Sequence, residues 1–232
     1  MRVASFDIGL KNFSFCIEEI DIDILKNIKN IPLFFERYNK DGTISDKFIP
    51  ILNDICKCGK IITLTNNDIS QNCDNNLYLD TQCFYNLNEL LDKYENEWEL
   101  VDIFIIEKQM SFGKKYNTMA LKLGQHVFSY FTIHFGKSKR IIEFPAYYKT
   151  QILGAQKEEK ILKSGKINYK AIDKPKRKKW AITEATKILE LRSDDENVKL
   201  IKGSKKKDDL SDVIVQLQAF KILFFIDKKL YF

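Results

Sequence analysis

Apolar side chains alternate with smaller or polar ones from Arg2 to Ile8 and stop at Gly9, which predicts a first strand over residues 2–8. Phe13-Ser14-Phe15-Cys16-Ile17-Glu18 alternates by two and predicts a second. Leu33-Phe34-Phe35-Glu36-Arg37-Tyr38 predicts a third, the three forming an antiparallel meander. Residues 39–80 lose the pattern; Asn and Asp are frequent there, and the stretch reads as an irregular insertion. Phe84, Leu87, Leu90, Leu91, Tyr94 and Trp98 recur at helical spacing over residues 83–98. Residues 101–106 form a short, almost continuous apolar run, as a parallel strand buried on both faces requires.

Met119, Leu123, Val127, Phe128 and Phe131 predict a long amphipathic helix over residues 116–134. Ile141, Ile142 and Phe144 predict a short strand ending at Pro145. Trp180, Ile182, Ala185, Ile188 and Leu189 place a helix at 176–191, followed by a polar linker over 192–207 and a last helix over 209–226. Strands, insertion, helix, strand, helix, strand and helices in this order specify an α/β fold around one mixed sheet. The helices supply the crossovers that parallel strands need. With 232 residues, the chain is expected to form a single domain, residues 1–232, carrying the insertion at about 39–80.

Charge adds to this picture through its distribution. The net charge is +6. Residues 137–187 hold 15 Lys or Arg against 5 Asp or Glu, so the remainder is net acidic. A basic segment on an acidic body suits a polyanionic partner. No apolar run reaches the roughly 18 residues of a membrane span, and because Asp7 is itself a candidate ligand, no cleavable leader is expected before it. The expectation is a soluble, intracellular protein without membrane contact. Five cysteines are expected there as reduced thiols. A structural Zn²⁺ held by Cys56, Cys58, Cys73 and Cys83 is the alternative, although one residue between the first two is a short spacing for zinc.

Four acids carry candidate chemistry. Asp7 ends the first strand, Glu107 ends the run at 101–106, and Asp209 and Asp212 open the last helix. If the two strands are neighbours, the first two carboxylates stand side by side, and the last two share a helix face. Carboxylates without His or Cys suit Mg²⁺ or Mn²⁺. Close carboxylates stay ionised together only with cations among them. Lys11 and Asn12 beside Asp7, and Lys108, Lys114 and Lys115 beside Glu107, are candidate DNA-phosphate ligands. Lys176, Arg177, Lys178 and Lys179 form a second such group. His126 and His134 are expected to pack or to lie on the surface.

Phe6-Asp7-Ile8-Gly9-Leu10-Lys11-Asn12, Ile105-Ile106-Glu107-Lys108-Gln109 and Lys207-Asp208-Asp209-Leu210-Ser211-Asp212 together resemble the three motifs of RuvC-type Holliday junction resolvases, members of the RNase H-like superfamily. The likeness runs from residue 2 to about 226 and is strongest to the resolvases of poxviruses and other large DNA viruses. The long Cys-bearing segment at 39–80 departs from the bacterial enzymes. The resemblance implies an RNase H-like fold with a central mixed five-stranded sheet flanked by helices. It also implies Mg²⁺-dependent hydrolysis that nicks four-way DNA junctions symmetrically during recombination and repair. Two ions per site would be held with Asp7 between them, Glu107 on one, and Asp209 and Asp212 on the other. It further implies a homodimer, for which Met119, Leu123 and Phe131 are a candidate face, and, for a viral protein, action where viral DNA replicates in the host cell. A broader structure-selective nuclease, an RNA–DNA hybrid nuclease and a non-catalytic junction binder remain alternatives. An actin-like kinase also starts with strand-Asp-x-Gly but needs glycine-rich phosphate loops absent from this sequence.

Overall fold

The computed structural model describes residues 1–73, 81–109 and 117–230. In chain order its elements are β1 (Arg2–Asp7), β2 (Phe13–Glu19), α1 (Ile22–Asn27), a 3₁₀ turn (Phe34–Glu36), α2 (Ile49–Lys57), β3 (Lys60–Asn67), α3 (Gln82–Asp92), α4 (Glu95–Glu99) and β4 (Ile103–Lys108). There follow α5 (Thr118–Phe135), β5 (Arg140–Pro145), α6 (Tyr147–Ile152), β6 (Glu158–Ile161), β7 (Ile167–Lys170), α7 (Lys174–Leu191), α8 (Asp195–Gly203), α9 (Lys207–Lys221) and a π turn (Ile222–Ile226). Two compact units divide the chain: residues 1–20 with 60–146, and residues 21–59 with 147–232.

The first unit is built on a five-stranded sheet of order β3-β2-β1-β4-β5. β1 runs antiparallel to β2, and β2 antiparallel to β3. β4 lies parallel to both β1 and β5. This is a mixed five-stranded sheet of the α/β class, as the order of predicted elements requires. One face is closed by an apolar core of Ala4, Phe6, Phe15, Phe104 and Ile106 from the strands with Leu87, Leu91, Trp98, Leu123, Val127 and Phe131 from the helices. Aromatic rings dominate it. Phe104 and Phe131 stack at 4.1 Å, and Trp98 meets Phe15 edge-on at 5.0 Å. The buried Trp98 indole satisfies its N–H on the Leu91 carbonyl at 2.8 Å, so its burial leaves no donor unpaired. Lys139, counted in the basic segment, donates to the carbonyls of Glu99 at 2.5 Å and Val101 at 2.7 Å and closes the end of α4.

The second unit is mainly helical. α9 is buried continuously from Val213 to Lys221. Its polar side chains are taken up internally: Arg192 donates to Gln218 Oε1 at 3.0 Å and to the Cys56 carbonyl at 2.6 Å, and Lys221 donates to the Cys58 carbonyl at 3.3 Å. Both cations thus serve the carbonyl end of α2, where the helix dipole favours positive charge.

Three parts of the pattern reading are corrected. The expected strand at 33–38 is instead a 3₁₀ turn over Phe34–Glu36: Leu33, Phe34 and Phe35 are all exposed, and Glu36 Oε2 accepts from the Leu33 N–H at 3.2 Å. The third strand is β3, within the stretch expected to be irregular, which also holds α2. β3 lies at the sheet edge, where the backbone ladder to β2 needs no apolar alternation. The polar linker at 192–207 contains α8, capped by Asp194 and buried only through Val198 and Ile201, too sparse a stripe to show as periodicity.

Candidate functional site

The pairing of β1 with β4 ends on Phe6 opposite Ile106. One residue further along both parallel strands are Asp7 and Glu107, so their backbones are neighbours at the strand spacing of about 4.8 Å. Phe6 and Ile106 point into the aromatic core. Alternation therefore turns Asp7 and Glu107 to the opposite face. Both are half-buried. The chain turns directly after Asp7, and a Cβ on Gly9 would stand 2.7 Å from the Asn12 carbonyl oxygen, so the glycine of the Asp-x-Gly motif is a packing requirement of this turn. α5 crosses the same strand ends: Gly124 packs against Ile8 and Gln109, the neighbours of the two acids.

Asp7 pairs with Ser14 on β2, and Ser14 with Asn66 on β3, so the three share one row across the sheet. Ser14 Oγ and Asn66 Oδ1 are buried with no hydrogen-bond partner among the described residues. Neither residue was singled out from the sequence. The signal for Asn66 lay in the run Ile61-Ile62-Thr63-Leu64-Thr65, rich in β-branched residues, which marks a strand inside the expected insertion.

In the second unit, Asp208 and Asp209 occupy the first turn of α9, and Asp212 follows one turn on. The helix start favours negative charge, but three acids also repel each other. Lys178 pairs with Asp208. Lys149, buried on α6, stands 3.3 Å from Asp212 Oδ1. Burial works to raise the Asp208 pKa, but the hydrogen bond and charge of Lys178 outweigh it and hold the group below its ordinary value. Asp209 is different. Burial, then the charge of Asp208 and more weakly that of Asp212, push its carboxyl up to about 6, and its Oδ2 is buried without a hydrogen-bond partner. An orphaned carboxylate oxygen among acids is a hard donor fit for a divalent cation. Among the described residues no three or more His, Cys, Asp or Glu stand together in ligating positions.

The basic residues fall into two groups. Lys11 and Lys108 are exposed and Asn12 is half-buried, each close in sequence to its acid. Lys114 and Lys115 lie outside the described residues. On α7, Arg177 and Lys179 are exposed, whereas Lys176 pairs with Glu158 and Lys178 with Asp208. Lys178, expected as a phosphate ligand, thus also serves as a counter-ion of Asp208. Asp173 caps α7 by accepting from the Lys176 N–H at 2.9 Å, and the first turn holds no acid. Basic side chains at a helix start oppose the dipole, so this turn is electrostatically suited to an anion.

His126 packs on Phe84 and hydrogen-bonds Asn88 at 2.8 Å, and His134 is exposed at the end of α5. Met119, Leu123 and Phe131 belong to the aromatic core, so they are not a dimer face. Of the cysteines, Cys56 and Cys58 are buried in the second unit, while Cys83 is buried and Cys73 half-buried in the first. No helix among the described residues is long and apolar enough to cross a membrane.

No family model matches the chain. It is 33% identical over 238 residues to uncharacterized protein 170L of Invertebrate iridescent virus 6, covering 97% of this chain and 91% of that protein. It is 27% identical to uncharacterized protein 97L of Invertebrate iridescent virus 3, covering 94% and 98%. Among solved structures, the fowlpox virus resolvase in complex with its substrate Holliday junction DNA superposes with a TM-score of 0.53 at 16% identity over the whole of both chains. The fowlpox virus Holliday junction resolvase alone gives 0.51 at 14% identity, covering 95% and 98%. The resemblance drawn from three short motifs thus holds at the level of the fold over the full length. The chain belongs to the family of invertebrate iridescent virus proteins that includes protein 170L, and it has the fold of the fowlpox virus resolvase.

Proposed function

We propose that this protein is a metal-dependent endonuclease that resolves four-way DNA junctions by paired symmetric nicks. The observation that carries the reading is the strand-end pair Asp7 and Glu107 on a sheet of this order, in a chain that matches the fowlpox virus resolvase from end to end. Asp209 and Asp212 complete the proposed ligand set: with Asp7 and Glu107 they would hold Mg²⁺ or Mn²⁺, two ions per site. When bound, the ions supply an activated water and offset charge on the leaving oxygen.

The chain's own part is positional and electrostatic. The stiff ends of β1 and β4 fix two carboxylates on one side of the sheet. The tight turn at Gly9 keeps Lys11 and Asn12 close to Asp7. Lys149 faces Asp212 and Lys178 faces Asp208, so the two cations offset part of the negative charge at the start of α9. Exposed Lys11, Lys108, Arg177 and Lys179, with Lys114 and Lys115, take the DNA phosphates. No side chain acts as nucleophile. Residues 1–232 act as one nuclease domain, and two copies act as a homodimer on the two strands to be cut. The setting is recombination and repair of viral DNA where that DNA replicates.

The test is a substrate panel with Mg²⁺: a four-way junction, a fork, linear duplex and an RNA–DNA hybrid of matched sequence. Cutting confined to the junction supports a resolvase. Equal cutting of forks or hybrids replaces it with a broader nuclease, and tight binding without cutting replaces it with a junction-binding protein.

A further inference from the structure

Residues 157–170 form a feature that neither the fold nor the carboxylates account for. β6 and β7 make a separate two-stranded antiparallel ribbon, with Ile161 opposite Ile167 next to the turn. The turn is well specified. The Leu162 N–H bonds the Lys166 carbonyl and the Gly165 N–H bonds the Leu162 carbonyl, both at 2.9 Å. Gly165 has φ +76, the left-handed geometry that closes a three-residue hairpin loop. Yet the ribbon buries almost nothing: six of its eight strand residues are exposed, Ile161 by 73% and Ile167 by 51%. Two strands without a packed face are marginal in water.

Its root, in contrast, is held firmly. The Lys157 N–H donates to the Asp41 carbonyl at 2.7 Å, Gln156 donates to Asp41 Oδ2 at 3.2 Å, and the Lys157 stem packs against Gly42. Glu158 pairs with Lys176 in the first turn of α7, the helix whose Lys178 pairs with Asp208 beside Asp209. A fixed root and a bare tip describe an arm projecting from the second unit.

The two faces of the arm differ. Cross-strand pairing sets Lys160 and Asn168 beside Glu158 and Lys170 on one face. Ile161 and Ile167, with Glu159 and Tyr169 behind them, lie on the other. Both acids are engaged, Glu158 by Lys176 and Glu159 by the Tyr169 hydroxyl at 3.3 Å. Lys160, Lys163, Lys166 and Lys170 have no acidic partner among the described residues. One face and the turn therefore present unneutralised positive charge, and the opposite face presents bare aliphatic side chains at its end. Lysines recognise phosphates, and exposed Ile and Leu side chains are the kind that wedge between base steps.

We infer that the β6–β7 hairpin is a DNA-reading arm: Lys160, Lys163, Lys166 and Lys170 grip backbone phosphates, and Ile161, Ile167 and Leu162 wedge into the open bases of a branch point. This deepens, and rests on, the proposed junction-cutting function. A four-way junction offers unstacked bases at its crossover, whereas intact duplex charges the full unstacking cost to any wedge.

The experiment uses the full chain in Ca²⁺, so that binding is read without cutting, on a junction carrying 2-aminopurine at the crossover and on a duplex of the same sequence. Wild type is expected to prefer the junction and to raise the 2-aminopurine fluorescence. Ile161→Thr with Ile167→Thr keeps β-branched residues in both strands. It is expected to lose about tenfold in junction affinity, to abolish the fluorescence rise and to leave duplex affinity unchanged. Lys→Gln at 160, 163, 166 and 170 is expected to weaken both complexes and to lower the salt slope by up to about 3–4. If the wild type prefers the junction but the Ile variant keeps the same preference and the same fluorescence rise, the arm assignment is overturned and the function stands. A wild type that binds junction and duplex alike overturns the function and the arm with it. A partner protein captured through this hairpin, with DNA binding unaffected by both variants, likewise overturns the assignment.

Discussion

The ammonium of Lys149 lies 3.3 Å from Asp212 Oδ1, with only 9% and 25% of the two side chains exposed. In such a pair each charge offsets the other's loss of water. Lys149→Met removes the cation and leaves Asp212 among other acids. The variant is expected to be about 2 kcal/mol less stable in urea unfolding without metal, with part of the loss restored by saturating Mg²⁺. Unchanged stability in chelator would show that the pair contributes nothing to folding.

Asp209 gives a pH signature. Its folded pKa of about 6 stands above its ordinary 3.8, so between those values the folded chain holds a proton that the unfolded chain has released. Stability therefore falls as pH rises from about 4 to about 6, and the deficit is complete above 6. Asp209→Asn removes the ionisation. In metal-free buffer at pH 7 it is expected to raise the thermal midpoint by roughly 2–4 °C, which allows for the half-exposed side chain. At pH 4 the gain is expected to vanish. An equal gain at both pH values would mean that the carboxyl titrates normally and that the asparagine acts by other means.

Arg37 and Asp227 form an enclosed ion pair in the second unit, 2.6 Å apart with side chains 8% and 4% exposed. The guanidinium also lies 5.1 Å from the Phe48 ring and donates to the Pro32 carbonyl at 2.9 Å. Breaking such a pair strands a buried charge, so Asp227→Ala is expected to lose about 3–5 kcal/mol. Arg37→Met with Asp227→Leu is expected to recover most of that loss, measured by the same urea titration. Additive losses in the double variant would contradict a paired arrangement.

The fold was readable where packing is strong and local. β1, β2, β4 and β5 show their two-residue or continuous apolar periods because their side chains meet a core, and α5 shows its stripe through Met119, Leu123, Val127 and Phe131. β3 was missed because an edge strand is held by its ladder, and its Asn66 and Asn67 look like turn residues. Leu33-Phe34-Phe35 misled in the other direction, since three adjacent apolar residues need no core when they sit exposed on a 3₁₀ turn. The acids were legible as motifs. Their counter-ions were not: Lys149 and Lys178 reach Asp212 and Asp208 only through tertiary packing of α6, α7 and α9, which no local pattern encodes. The hairpin arm escaped notice because its strands are charged on one side and bury nothing on the other.

Gly9 links the turn to the chemistry. A methyl group there would stand 2.7 Å from the Asn12 carbonyl, closer than real contacts allow, so the turn that follows Asp7 must shift. Gly9→Ala is expected to cost roughly 1–3 kcal/mol of stability. It should lower junction cleavage about a hundredfold, because a displacement of 1 Å at a catalytic group is enough for that. Cleavage assays at a temperature where the variant is fully folded separate the two effects. Full activity in the folded variant would detach the turn from catalysis.

The most direct test of the central claim is the mapping of cuts in a synthetic four-way junction with Mg²⁺ by wild type and by Asp7→Asn, Glu107→Gln, Asp209→Asn and Asp212→Asn. The expected result is paired nicks at symmetric positions on opposite strands, leaving 5′-phosphate and 3′-hydroxyl ends. Each carboxylate variant should bind the junction as before and cut at least about a hundredfold more slowly. Cleavage that survives any of the four substitutions at near wild-type rate, or that proceeds equally well in chelator, would contradict it.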